Sequence, residues 1–590
     1  MEPRTIESVR VSLDVPARMR DGTTLRANVY QPDDPGAASY PVLLTRLPYG
    51  KDLPLGSSAL LPEQAARRGY VVVIQDVRGT FASEGEWFPF LTEAQDGYDT
   101  VEWAARLPGA NGQVGMYGVS YFGFTQWAAA SQHPPALRAL LPMHTWSDTA
   151  AGHTGVIWRN GVLELGNQAG WLLETGLAQL PRRFRDDPQA LGRALYELAR
   201  EIDTLPAAGY GELPLHSFGP LLRTGFDAPL RRAIEARRDP LLAAEPDLSA
   251  AFDLPLPALH IGGWFDIFQA ATIANFQRMR AAGNDRLWLL LGPWTHGNVN
   301  RAQGDVDFGF ASSGALLDLQ VDLMSLSVQF FDHTLKGVPN LLSAMPTVKY
   351  FVMGSNVWKG AATWPPDGVS LQAWYLSSGG RANTLDGDGA LSPAFPAGIA
   401  SSADHYTYDP AAPVPTLGGA HLLPPVYRRG PVDQRPIERR HDMLVYTSAA
   451  LEHPVEIAGP VTAKLFVTTD AADTDFVARL IDVYPDGRAI PLADGIARLS
   501  LRDGVYPPAA VTPGALYQLE IDLWSTANVF LPGHRIRLDV TSSSFPRWER
   551  NLGTGADSAR SAEMRPAHQH VLHDADHPSH VLLPIAPADA

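Results

Sequence analysis

The chain has 590 residues, 45% of them hydrophobic and 19% charged, with a formal net charge of −16. That length exceeds one ordinary core and implies two or three domains, and the negative charge, unrelieved by any basic cluster, argues against nucleic acid and anionic membrane as partners. With no cysteine there is no disulfide, thiolate metal site or cysteine nucleophile, and no apolar run reaches the roughly 18 residues of a membrane span.

Met1 to Glu7 lacks the apolar core of a secretory signal, so the expected location is cytoplasmic. Residues 7–31 read as a β-hairpin, with alternating Val9, Val11 and Leu13, a turn at Asp21-Gly22, then Leu25, Ala27 and Val29. Pro41 to Leu44, Tyr70 to Ile74, Gln113 to Tyr117 and Leu137 to Met143 are short apolar runs separated by helix-like stretches such as Glu93 to Leu107. This alternation predicts a parallel sheet covered on both faces. From Trp146 to Leu248 the chain turns helix-like and arginine-rich, as a cap inserted over the sheet's carboxyl end. The sheet resumes with Ala258 to Ile261, a helix over Ile267 to Ala282, and Leu287 to Leu291; the amphipathic Leu316 to Leu335 closes it. Short strands between Pro, Gly and Asp then predict a C-terminal jelly roll. The expected divisions are 1–147 and 249–355 for the α/β domain, 148–248 for the cap and 356–590 for the jelly roll.

The chemistry gathers at Gly118-Val119-Ser120-Tyr121-Phe122-Gly123, an apolar strand running into a turn and an alanine-rich helix. Such an elbow holds a serine hydroxyl out of the turn. Here the second glycine comes three residues after the serine, and Phe122 stands where a small residue is usual. A serine needs a base, and the base an orienting acid. Asp266 follows Gly262-Gly263-Trp264-Phe265, and His296 follows Gly292-Pro293-Trp294-Thr295, each just past a predicted strand. The plainer alternatives are a helix N-cap for Asp266 and a loop histidine satisfied by backbone for His296.

Arg46-Leu47-Pro48-Tyr49, Gln75-Asp76-Val77-Arg78-Gly79, the elbow, Gly263-Trp264-Phe265-Asp266, Gly292-Pro293-Trp294-Thr295-His296 and Phe530-Leu531-Pro532-Gly533-His534-Arg535 together resemble the X-Pro dipeptidyl-peptidase / cocaine esterase family. The late glycine is a trait of that family. The resemblance implies an α/β-hydrolase domain with an inserted helical cap and a C-terminal all-β jelly roll. It also implies a serine ester hydrolase working through an acyl-enzyme, without metal or cofactor, on a small-molecule ester. Ser120, Asp266 and His296 would form the triad; the Tyr49 hydroxyl and the Tyr121 N–H would form the oxyanion hole. Trp146, Trp171, Phe268, Leu422 and Leu423 fall where the family builds its substrate pockets, although the loop after Tyr49 is shorter here. A homodimer is left open. The alternatives are an X-Pro dipeptidyl-peptidase or an α-amino-acid ester hydrolase, each needing acids near the nucleophile (Asp186-Asp187 or Glu164 brought in by the cap), and a non-catalytic jelly-roll binding protein. Asp76 and Arg78 are expected to pair near the sheet.

Overall fold

Apolar β-rich runs become a ten-stranded sheet in the computed structural model, which describes residues 6–34, 39–148, 156–238, 247–395 and 403–587. The strands are β1 (Val9–Arg18), β2 (Thr24–Pro32), β3 (Tyr40–Leu47), β4 (Val71–Asp76), β5 (Ala110–Val119), β6 (Leu137–Met143), β7 (Ala258–Phe265), β8 (Leu287–Thr295), β9 (Val348–Val352) and β10 (Val357–Ala361). Their order across the sheet is β1-β2-β4-β3-β5-β6-β7-β8-β9-β10. From β4 to β9 every pairing is parallel, and β4 and β7 are buried along their whole length. Parallel strands need crossovers, and helices covering both faces account for their continuous apolar sequences.

The helices flanking the first strands are α1 (Pro62–Arg67), α2 (Glu93–Ala104) and α3 (Tyr121–Ala130). The cap contains α4 (Leu165–Arg183), α5 (Pro188–Thr204), α6 (Gly219–Thr224) and α7 (Ala228–Arg238); α8 (Gln269–Ala281) and α9 (Leu323–Lys336) return to the sheet. Both expected cap divisions, at 148 and 248, adjoin residues 149–155 and 239–246, which lie outside the described residues.

Two strands run longer than their apolar cores suggest. β7 continues through Gly262-Gly263 because a Cβ on Gly263 would sit 2.3 Å from the Trp294 carbonyl oxygen. Glycine there lets β7 and β8 stay together to their tips. α9 starts at Leu323, not 316, because the Asp322 carboxylate caps it by accepting the Ser325 N–H at 2.8 Å. The sheet's last strand, β10, pairs antiparallel with β9 beyond the expected division at 355.

The C-terminal domain is all β, with eleven strands in one hydrogen-bonded network. From Gly459 to Thr469 burial alternates residue by residue, as on a sheet with one face in a core. The cap is bound to this domain by buried charges and aromatics. The Arg159 guanidinium lies 3.4 Å from the Trp524 ring centre, Trp548 donates to Glu164 at 2.8 Å, and Arg237 pairs with Glu549 at 2.9 Å. Asp76 and Arg78 do not pair with each other. Asp76 accepts the Lys51 N–H at 2.7 Å, whereas Arg78 reaches Asp96 at 2.6 Å and Asp21 at 2.8 Å. Asp96, one turn into α2, is the nearer acid for a long side chain leaving the end of β4. Among the described residues no helix is long and apolar enough to cross a membrane.

Candidate active site

Ser120 joins β5 to α3 with φ 59° and ψ −124°, a conformation that side chains rarely adopt and that turns the hydroxyl outward. The turn is held from several sides. The Ser120 N–H donates to Met143 at 3.0 Å, and its carbonyl accepts from Gly123, Phe124 and the Thr145 hydroxyl. A Cβ on Gly118 would meet the Phe122 carbonyl oxygen at 2.6 Å, so the elbow closes only on glycine. The late glycine has its own reason: a Cβ on Gly123 would lie 2.5 Å from the Thr145 side chain. Phe122 is buried in a core cluster, with its ring edge-on to that of Tyr49 at 6.3 Å.

Asp266 and His296 stand at the tips of adjacent strands. His296 Nδ1 lies 2.8 Å from Asp266 Oδ1, which also accepts the Phe268 N–H at 3.2 Å. The capping and orienting roles are therefore shared by one carboxylate, and α8 begins only at Gln269. Burial pushes the Asp266 carboxyl up, but His296 and His144 outweigh it and hold it below its ordinary value. An ionised carboxylate only accepts, so Nδ1 of His296 donates and Nε2 is left as the basic nitrogen.

Ser120 and His296 open into one cavity of about 560 Å³. Tyr49 lines it as well. Its hydroxyl accepts the Trp171 indole N–H at 3.0 Å, which leaves the phenolic hydrogen for another acceptor, and burial keeps that phenol protonated. Tyr121 is the first residue of α3, where a helix N–H has no carbonyl one turn back to bond. Its own hydroxyl is committed elsewhere, donating to the buried Glu93 at 2.9 Å.

Of the five expected pocket residues, Trp171 and Leu422 line the cavity. Trp146, Phe268 and Leu423 are buried outside that lining. Trp146 stacks on Phe124 at 5.5 Å and meets Phe268 at 4.4 Å, while the Phe268 ring stands edge-on to His296 at 5.2 Å. These rings therefore pack behind His296, outside the cavity lining. Neither acid expected from the cap reaches the cavity: Glu164 is buried against Arg547 and Trp548, and the exposed Asp187 caps α5. A carboxylate that sequence reasoning overlooked does reach it. Glu174 lies one helical turn beyond Trp171 on α4, a spacing that shares a face and was the available signal. Burial raises its pKa, partly offset by Arg429, whose guanidinium shares the cavity and donates to Leu423 at 2.9 Å.

His144, Asp266 and His296 place their ligand atoms within 4.8 Å of one another, as a metal site would. Both Nδ1 atoms, however, are committed to hydrogen bonds within the protein, that of His296 to Asp266 and that of His144 to the Gly297 N–H.

Residues 21–298 match the X-Pro dipeptidyl-peptidase (S15 family) description, and residues 340–582 match the X-Pro dipeptidyl-peptidase C-terminal non-catalytic domain. Cocaine esterase of Rhodococcus sp. (strain MB1 Bresler) is 38% identical over 587 residues, 98% of each chain. The chain belongs to the X-Pro dipeptidyl-peptidase / cocaine esterase family. It is a serine hydrolase of carboxylic esters. Among solved structures of this fold, an α-amino acid ester hydrolase is 25% identical with a TM-score of 0.79, over 98% of this chain and 97% of that one. An aminopeptidase from a marine sediment archaeon (Thaumarchaeota archaeon) is 24% identical with a TM-score of 0.74, over 98% and 96%.

Proposed function

We propose that Ser120 attacks the carbonyl carbon of a small-molecule ester while His296 Nε2 takes its proton. Asp266 holds the imidazole by Nδ1 and stabilises the imidazolium that forms. The tetrahedral oxyanion is met by the Tyr49 hydroxyl and the Tyr121 N–H. The alcohol leaves with the proton from His296, and water, activated by the same imidazole, releases the acid. The observation that carries this reading is the 2.8 Å bond from His296 Nδ1 to buried Asp266, with His296 and the strained Ser120 facing one cavity. A fluorophosphonate probe followed by peptide mapping tests it: the label is expected on Ser120 alone. Labelling at another serine, with Ser120 unmodified, would overturn the assignment.

Tyr49→Phe tests the oxyanion hole. Removing one such donor costs about 2.7–4 kcal/mol, or roughly 10²–10³ in kcat. KM is expected to move far less, because the donor engages mainly the developing charge. If Tyr49 were only packing, kcat would stay within about threefold, well short of a donor's loss, and the melting temperature would register any change.

Glu174 favours a narrower reading, an ester that carries a cation. Its carboxylate lines the cavity that holds Ser120 and His296, makes no hydrogen bond among the described residues, and has the Arg429 guanidinium as its charged neighbour there. Butyrylcholine and its uncharged isostere 3,3-dimethylbutyl butyrate differ chiefly in charge. At an effective dielectric of about 20, unit charges roughly 4–6 Å apart attract by about 3–4 kcal/mol before solvent screening reduces it. The ratio of their kcat/KM values is therefore expected to fall by about tenfold or more in Glu174→Gln. An unchanged ratio would remove Glu174 from substrate recognition.

A further inference from the structure

His144 is buried beside the triad and does not line the cavity. It follows β6 directly, its N–H donating to the Ile261 carbonyl at 2.7 Å, so the backbone is tied across β6 and β7. Its φ is 46°, a left-handed conformation uncommon for any residue with a Cβ, and strain of this kind is concentrated at functional sites. Its ring Nδ1 accepts the N–H of Gly297, the residue after His296, at 3.1 Å. A nitrogen that accepts carries no hydrogen, so the proton of the neutral ring sits on Nε2. The same Nδ1 stands 3.7 Å from Asp266 Oδ2, which has no hydrogen-bond partner among the described residues. The titratable groups that act on the ring are Asp266 and His296, and Trp294 packs near it at 6.3 Å.

We infer that His144 is a positioning residue of the triad: as a neutral acceptor it holds the Gly297 amide, fixes the turn that carries His296, and leaves Asp266 to serve His296 alone. The inference rests on the triad proposed above. Burial drives the His144 ring down to about 4, so it stays neutral where an imidazole base operates. Protonation would put a hydrogen on Nδ1 against the Gly297 N–H. It would also present Asp266 with a second cation. A side chain that merely filled space would need no lone pair at this position.

The test compares His144→Leu, which removes the acceptor, with His144→Asn, whose Oδ1 can stand in for Nδ1 and which tolerates the left-handed backbone. On p-nitrophenyl butyrate, His144→Leu is expected to lose about 10- to 100-fold in kcat with KM nearly unmoved, as for small displacements of a catalytic group. Its pH–activity midpoint should move down as the hold of Asp266 on His296 loosens. His144→Asn is expected to keep kcat and the midpoint close to wild type. Should His144→Leu fail to fold, His144→Asn alone decides. A folded Asn variant that lost more than about tenfold in kcat, or equal losses in both variants, would show that the ring is needed for something other than its acceptor, against the inference. A folded Leu variant with wild-type kcat and pH profile would also overturn it. Ser120→Ala, run alongside, separates this failure from that of the triad: if it too stays active, the triad assignment falls first.

Discussion

Ser120→Ala is expected to lower kcat on p-nitrophenyl butyrate by about 10⁶, the loss found when a serine nucleophile is removed from a triad. The melting temperature should scarcely change. The elbow is held by the Ser120 backbone, through Met143, Gly123, Phe124 and Thr145, and by the glycines at 118 and 123. Alanine keeps all of these and the Cβ. Only the hydroxyl oxygen leaves. A variant retaining more than a few per cent of the wild-type rate, after contaminating activity is excluded, would require another nucleophile.

Asp266→Asn is the second large effect, about 10⁴ in kcat. The amide oxygen can still accept from Phe268 and from His296 Nδ1, so the fold and much of the local geometry should persist. What disappears is the negative charge facing the imidazolium in the transition state, inside a site where burial magnifies charge effects. That carboxyl lies below its ordinary value, with His296 the strongest of the influences that lower it, so the charge is present at neutral pH in the wild type. Steady-state kinetics and a thermal melt distinguish the outcomes. A loss smaller than tenfold would mean that Asp266 orients the histidine without needing its charge, or that another acid does the work.

The strand–turn–helix around Ser120 was legible because its glycines and apolar run are consecutive. Asp266 and His296 were legible because each follows an apolar strand. The structure shows why the flanking Gly-Gly-Trp-Phe and Gly-Pro-Trp-Thr belong to the strands: Gly263 lies against the Trp294 backbone, a contact between residues thirty-one apart that no local pattern announces. Tyr49 became visible only through resemblance, since its proposed role draws on a hydrogen bond from Trp171, 122 positions away. His144 was hidden for a similar reason. It ends an ordinary strand, and its partner Gly297 is 153 positions distant. Trp146 and Phe268 stand outside the cavity lining, because aromatic residues near a site pack behind it as readily as they line it. β10 eluded the expected division because Val357-Trp358-Lys359-Gly360-Ala361 has the half-exposed texture of the β domain that follows.

Leu422 and Arg429 bring the all-β domain to the cavity that holds Ser120 and His296, although the matching family description calls that domain non-catalytic. A gene cut after codon 361 would still encode Ser120, Asp266, His296 and Tyr49, and would lose one wall of the chamber together with the partners of Arg159, Glu164 and Arg237. On the proposed function, substrate preference is therefore written in both halves of the coding sequence. A mutational library confined to the first half would leave Leu422 and Arg429 untouched and could not explore the full range of specificities this scaffold permits.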